Sequence, residues 1–148
     1  GRQMAACMAM GAAGVWGGSV WLTTVEAETT PTVKQKMLKA TSRNTVRSRS
    51  RTGKPTRQLQ SAWSDAWGAK DAPEPLAMPL QGLLSRPPMA KVDKLAESGH
   101  DGAKNLAAYF VGQAVGLMNT EQSARSVVAD FMKDYAEAVE RLSGTLHE

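Results

Sequence analysis

Residues 14–22 read Gly14-Val15-Trp16-Gly17-Gly18-Ser19-Val20-Trp21-Leu22, and they carry the clearest chemistry in the chain. Two glycines and a hydroxyl residue follow a short apolar stretch. Glycines let backbone N–H groups come close to an anion, and a serine adds a further donor. That is the chemistry of a phosphate site. An Ala/Met-rich segment that reads as helix precedes it, and Val15-Trp16 reads as a short strand. Helix, strand and then Gly-Gly-Ser is an order that fits the close of a (β/α)8 barrel, where the loops after the last two strands often hold a phosphate. A plain turn after a strand uses the same residue types, so the motif by itself leaves both readings open.

Other reactive groups are scarce. His100 lies in a Ser-Gly-His-Asp-Gly loop and His147 near the end of the chain, and neither stands at a metal-ligand spacing. Adjacency of His100 and Asp101 does not make a dyad, so both histidines read as solvated. No catalytic residue and no metal ligand is assigned. There is no Walker-type loop and no G-x-S-x-G elbow. Cys7 is the single cysteine, which excludes an internal disulfide, fits a reducing cytoplasm and reads as a small helix-packing residue.

Charge is concentrated. Residues 34–57 hold nine Lys/Arg and no acid, while the remaining nine basic residues face fourteen acids, a net −5. Arg47, Arg49 and Arg51 alternate with Ser48 and Ser50. If extended, they share one face. Such a face can meet phosphates, nucleic acid included. No aromatic residue interleaves the cations, so a stacking platform for bases is missing. The segment is expected to be a solvated strand or loop edge; contact with an anionic group of a cofactor or substrate is the next reading, and a nucleic-acid site is not expected.

The elements that must hold these groups follow from period and caps. A helix is expected over Arg2–Ala13, with Gly14 as its stop. Pro31 opens another that reaches about Ala40. Val46–Arg51 reads as extended, and Arg57–Trp67 as helix with Leu59, Ala62, Trp63 and Ala66 on one side. Residues 68–79 form a Pro-containing linker. Pro87-Pro88 should interrupt any helix, which restarts near Met89. Asp101 can cap a helix to about Met118, on which Gly112 and Gly116 lie one turn apart, a spacing that fits close helix packing. Ser123 can cap a last helix to about Leu142. Its Ala124, Val127, Val128, Phe131, Tyr135, Ala138, Val139 and Leu142 form one apolar stripe, expected to face a core. Three regions result: 1–67 around the phosphate loop, 68–100 as linker with short helices, and 101–148 as a helical pair.

The 42% apolar content supports a core. Residues 4–22 are apolar but contain four glycines, and no run approaches the ~18 residues of a membrane span. A basic leader followed by a cleavage site is also lacking, so no membrane contact is expected.

Several segments in one order closely resemble the nitronate monooxygenase (2-nitropropane dioxygenase) family. They are Gly1–Ala6, Met10–Ser19, Val20–Ala27, Asn44–Arg49, Thr52–Arg57, Met78–Gln81 and Phe110–Leu117. The resemblance implies an α/β protein, here the C-terminal segment of an FMN-binding TIM barrel and mostly helical. It implies FMN as cofactor and oxidation of a small-molecule alkyl nitronate by molecular oxygen. It places FMN contacts on Trp16, Gly17, Gly18 and Ser19. Ser19 stands where members often carry Thr and keeps the hydroxyl, while Trp16 departs from the usual residue and leaves a backbone contact. Gln113 matches a Gly-Gln pair of the family without a firm role. A barrel typically needs about 250 residues and this chain has 148. It opens on Gly1, so it is expected to be a fragment without the catalytic base and inactive alone. A flavin-dependent enoyl-(acyl carrier protein) reductase is the alternative within the fold, and a basic nucleic-acid-binding helical module the alternative outside it.

Overall fold

Residues 1–145 are described by the structure, a computed structural model. Among the described residues the regular structure is six α-helices, three short 3-10 turns and one two-stranded antiparallel sheet. The helices are α1 (Arg2–Ala9), α2 (Pro31–Lys39), α3 (Ala62–Trp67), α4 (Leu80–Glu97), α5 (Asp101–Leu106) and α6 (Ala124–Gly144); the strands are β1 (Thr45–Ser48) and β2 (Thr56–Leu59).

The core gathers Val33 and Met37 of α2, Leu59 of β2, Ala96 of α4, Ala103 of α5, and Ala107, Val111, Val115 and Met118 of the chain that follows. Pro31 does open α2, as its fixed φ and missing donor favour. Ser123 caps α6 by accepting from the Ser126 amide at 3.0 Å. Along α6 the stripe is only partly covered. Val127 and Ala138 are buried, whereas Val128, Val139 and Leu142 are exposed. The covered part packs against α1.

Five segments differ from the sequence expectations. Val15-Trp16 is not a strand, because no strand lies beside it among the described residues to complete a ladder. α1 ends earlier than expected, at Ala9, where Gly11 takes a left-handed φ of 100° and the Ala12 amide returns to the Cys7 carbonyl. Arg57–Leu59 pairs with Thr45–Arg47 instead of opening a helix, and α3 starts only after Ser61, whose hydroxyl accepts from the Ser64 amide while the Ser64 hydroxyl accepts from the Ser61 amide. Pro87 and Pro88 sit inside α4. The carbonyls they leave unpaired belong to Leu83 and Leu84, both exposed and open to water, while Ser85 and Met89 anchor the other face. Finally, α5 stops at Leu106. The Leu59 amide then bonds the Tyr109 carbonyl and the Val111 amide bonds the Arg57 carbonyl, so residues 109–111 lie along β2. Gly112 precedes, and Gly116 lies within, a 3-10 turn, Gln113–Leu117, not a long helix. Close approach is still their reason at position 116, where a Cβ would lie 3.0 Å from the Ser42 amide nitrogen.

A buried polar network fixes the turn between β1 and β2. Gln81, fully buried, donates to the Ser50 carbonyl at 2.8 Å and accepts from the Leu76 amide at 3.0 Å. The Gln58 amide donates to the Ser50 hydroxyl, and the Ser85 hydroxyl to the Arg51 carbonyl at 2.6 Å. Gly53 allows the turn, with φ 82° and no room for a Cβ against the Leu76 carbonyl.

Candidate anion site

The Gly17-Gly18-Ser19 loop is held from both sides. Behind it, the Trp21 indole donates to the Gly17 carbonyl at 2.6 Å, and the Trp21 amide to the Gly18 carbonyl at 3.3 Å. In front, the Ser19 hydroxyl accepts from the Gly112 amide at 2.8 Å, across 93 residues of sequence. A hydroxyl that accepts one bond keeps its own hydrogen to donate. Among the described residues the amides of Gly17, Gly18 and Ser19 have no hydrogen-bond partner. A Cβ on Gly18 would meet nothing within 4 Å, so an anion can reach the backbone there. The Trp16 side chain is 98% exposed and touches none of this, so only its backbone belongs to the loop.

Gly18 and Ser19 open onto a cleft of about 410 Å³ between the loop and the segment beside β2, and Gly17 is not in its wall. Gly18, Ser19, Leu22, Arg57, Phe110, Val111 and Gly112 line it. Free amides, a hydroxyl donor and a guanidinium make a receptor for a tetrahedral oxyanion. The residues present therefore fit the phosphate of FMN. Arg57 is one of nine cations in the sequence segment 34–57, at the start of an expected helix, so nothing there singles it out from the rest of the run. Its register opposite Arg47 on the hairpin is what brings it to the loop.

Of the other cations of that run, Lys34, Lys36, Arg49 and Arg51 are spent on internal contacts, while Lys39, Arg43, Arg47 and Lys54 are exposed, as expected of a solvated edge. β1 ends at Ser48, so Arg49 and Arg51 leave the line of Arg47. Arg49 donates to the Gly53 carbonyl at 3.0 Å and lies 3.5 Å from Glu74. Arg51 donates to the Ala108 carbonyl at 3.1 Å and stacks over Phe110, 5.4 Å from its centroid. Burial pushes the Arg51 guanidinium below its ordinary pKa, and the charges of Asp93 and Tyr109 push back. Lys34 is buried between the Thr24 carbonyl and Glu121 at 2.9 Å. Lys36 donates to the Ala107 carbonyl at 2.7 Å, with burial lowering its pKa.

A second cavity of about 550 Å³ includes Trp21, Glu26, Val33, Asp93 and Tyr109 in its wall. Asp93 is displaced upward by burial, with Arg51 opposing and Glu97 adding to the rise, and its Oδ1 is buried without a partner. His100 is not a free loop residue. Its Nδ1 caps α5 by accepting from the Ala103 amide at 3.3 Å. His147 lies outside the described residues. Gln113 is exposed at the start of its turn. The described residues form no metal-binding group of His, Cys, Asp or Glu, and no helix among them is long and apolar enough to cross a membrane.

Residues 1–134 match the family described as nitronate monooxygenase. A Mycobacterium tuberculosis protein provisionally named a monooxygenase is 54% identical over 144 residues, which cover 97% of this chain and 38% of that protein. FabK from Thermotoga maritima shares the fold with a TM-score of 0.66 at 28% identity, over 98% of this chain and 44% of FabK. A point mutant of FabK gives 0.63 at the same identity and covers 40% of its chain. The chain thus spans well under half the length of the relatives it matches.

Proposed function

Since this chain belongs to the nitronate monooxygenase family, we propose that it supplies the FMN phosphate site of an enzyme that oxidises alkyl nitronates with molecular oxygen. The observation that carries this is the trio of unpartnered amides at Gly17, Gly18 and Ser19, set beside a hydroxyl already fixed by Gly112. When bound, FMN supplies the capacity to take two electrons from a nitronate and return them to oxygen. This chain's own residues bind and orient. The three amides and the Ser19 hydroxyl donate to phosphate oxygens, and the apolar walls from Leu22, Phe110 and Val111 exclude water from one side of the cleft. No residue lining the cleft is a general base. A monooxygenase is favoured over an enoyl reductase by the name of the 54% identical relative. The reading includes no specific nucleic-acid partner, because Lys34, Lys36, Arg49 and Arg51 are spent on internal contacts.

Flavin fluorescence titration of the chain tests the reading. Gly18→Val should weaken FMN binding strongly, because the side chain fills the space the anion needs. Ser19→Ala should lose about 1.5–3 kcal/mol, the worth of a hydrogen bond to a charged group. Ser19→Thr should be nearly silent. A folded Gly18→Val chain with wild-type FMN affinity would end the assignment.

A further inference from the structure

We propose that Arg57 reads the charge of the bound flavin and so sets the preference for the phosphorylated over the unphosphorylated form. The inference rests on the FMN reading above and adds a residue to it.

Three observations converge on Arg57. It lines the same cleft as Gly18, Ser19 and Gly112. Its side chain is half-buried, yet among the described residues no carboxylate pairs with it. A guanidinium withdrawn from water without a counter-charge is costly, and a bound anion removes that cost. Its aim is also fixed. One terminal nitrogen donates to the Thr45 hydroxyl across the hairpin at 2.9 Å, and the Arg57 carbonyl holds the Val111 amide at 3.2 Å. One terminal nitrogen is thus committed to Thr45. The guanidinium carries five N–H donors in all, and those not used by Thr45 remain for a ligand.

The other residues of the cleft set the ligand's class. No acid lines it. Glycine amides and a serine hydroxyl are donors without net charge, and they can hold a phosphate without neutralising it. Arg57 is the formal charge in the lining, so it alone distinguishes a phosphate monoester from a hydroxyl at the same place. Thr45 acts as a positioning residue that holds one terminal nitrogen of the fork.

The test compares FMN with riboflavin on the wild-type chain, Arg57→Gln and Arg57→Lys. Wild type should prefer FMN. Arg57→Gln should lower FMN affinity about ten- to a hundredfold, the range spanned by a hydrogen bond to a charged group. Riboflavin affinity should not move, and Arg57→Lys should recover part of the preference. An equal loss of both flavins would make Arg57 merely structural and overturn the proposal, as would an Arg57→Gln chain that keeps its preference. A wild-type chain that ignores the phosphate, or binds neither flavin, overturns the FMN reading and this one together. If Arg57→Gln does not fold, inorganic phosphate is titrated into the wild-type chain and the Arg57 Nε–H resonance followed by NMR. A saturable shift supports the assignment, and a static resonance refutes it. Recovery of that shift with phosphate but not with FMN would identify a free-anion site instead of a cofactor site and refute the flavin role.

Discussion

Gln81→Met should lower the stability of the chain by about 2 kcal/mol without changing its fold. Methionine matches glutamine in length and shape, so the perturbation is nearly pure loss of hydrogen bonding. Gln81 is fully buried, and its amide serves two backbone groups, the Ser50 carbonyl at 2.8 Å and the Leu76 amide at 3.0 Å. Those two losses are unequal. Ser50 is buried completely, so its carbonyl is stranded at a cost of about 1–3 kcal/mol. Leu76 is 47% exposed, so water can replace the lost partner there. The added apolar burial of methionine offsets a fraction of the cost. For a chain of this size, about 2 kcal/mol corresponds to a fall in Tm of about 4–8 °C. Gln81→Glu should cost more, since a carboxylate then faces the Ser50 carbonyl with no donor. Urea denaturation of the three proteins, read at constant slope, measures both values. A methionine variant within about 0.5 kcal/mol of wild type would refute the claim that the network holds the turn. The consequence reaches the cleft. That turn carries Arg51, Arg51 holds the Ala108 carbonyl, and the segment after Ala108 presents Gly112 to Ser19.

Met37→Ala removes a side chain with no exposed surface from the centre of the core and should cost about 2–5 kcal/mol in the same assay. Asp93→Asn should stabilise the chain at neutral pH and lose that advantage in acid. Burial raises the Asp93 pKa above its unfolded value, so the stability of the neutral form is present at low pH and is lost as pH rises through the folded value. Thermal melts of both proteins across that range check the sign, and an advantage that grew in acid would contradict it.

What could be read from the sequence divides along physical lines. Local signals held: Pro31 at the first turn of α2, Ser123 as a cap, and the period of α6. The Gly17-Gly18-Ser19 loop stood out by residue type, although a plain turn uses the same residues. Long-range pairing was not legible. Ala107-Ala108-Tyr109-Phe110-Val111 lies next to a helix start and looks continuous with it, yet its aromatic and β-branched end pairs with β2. The same pairing converts Arg57 from a presumed helix residue into a wall of the cleft. Pro87-Pro88 misled because the rule against helical proline assumes the orphaned carbonyls have nowhere to go, and those of Leu83 and Leu84 face water. Lys36 and Arg51 looked like surface cations because their carbonyl partners, at Ala107 and Ala108, are 71 and 57 residues away.

The most direct test of the phosphate site is an amide NMR titration of the chain with FMN. Gly17, Gly18 and Ser19 should shift together and saturate, with Gly112 following because its amide bonds the Ser19 hydroxyl. Amide shifts confined to the other cavity, around Val33, Asp93 and Tyr109, with the glycine loop unmoved, would contradict the account.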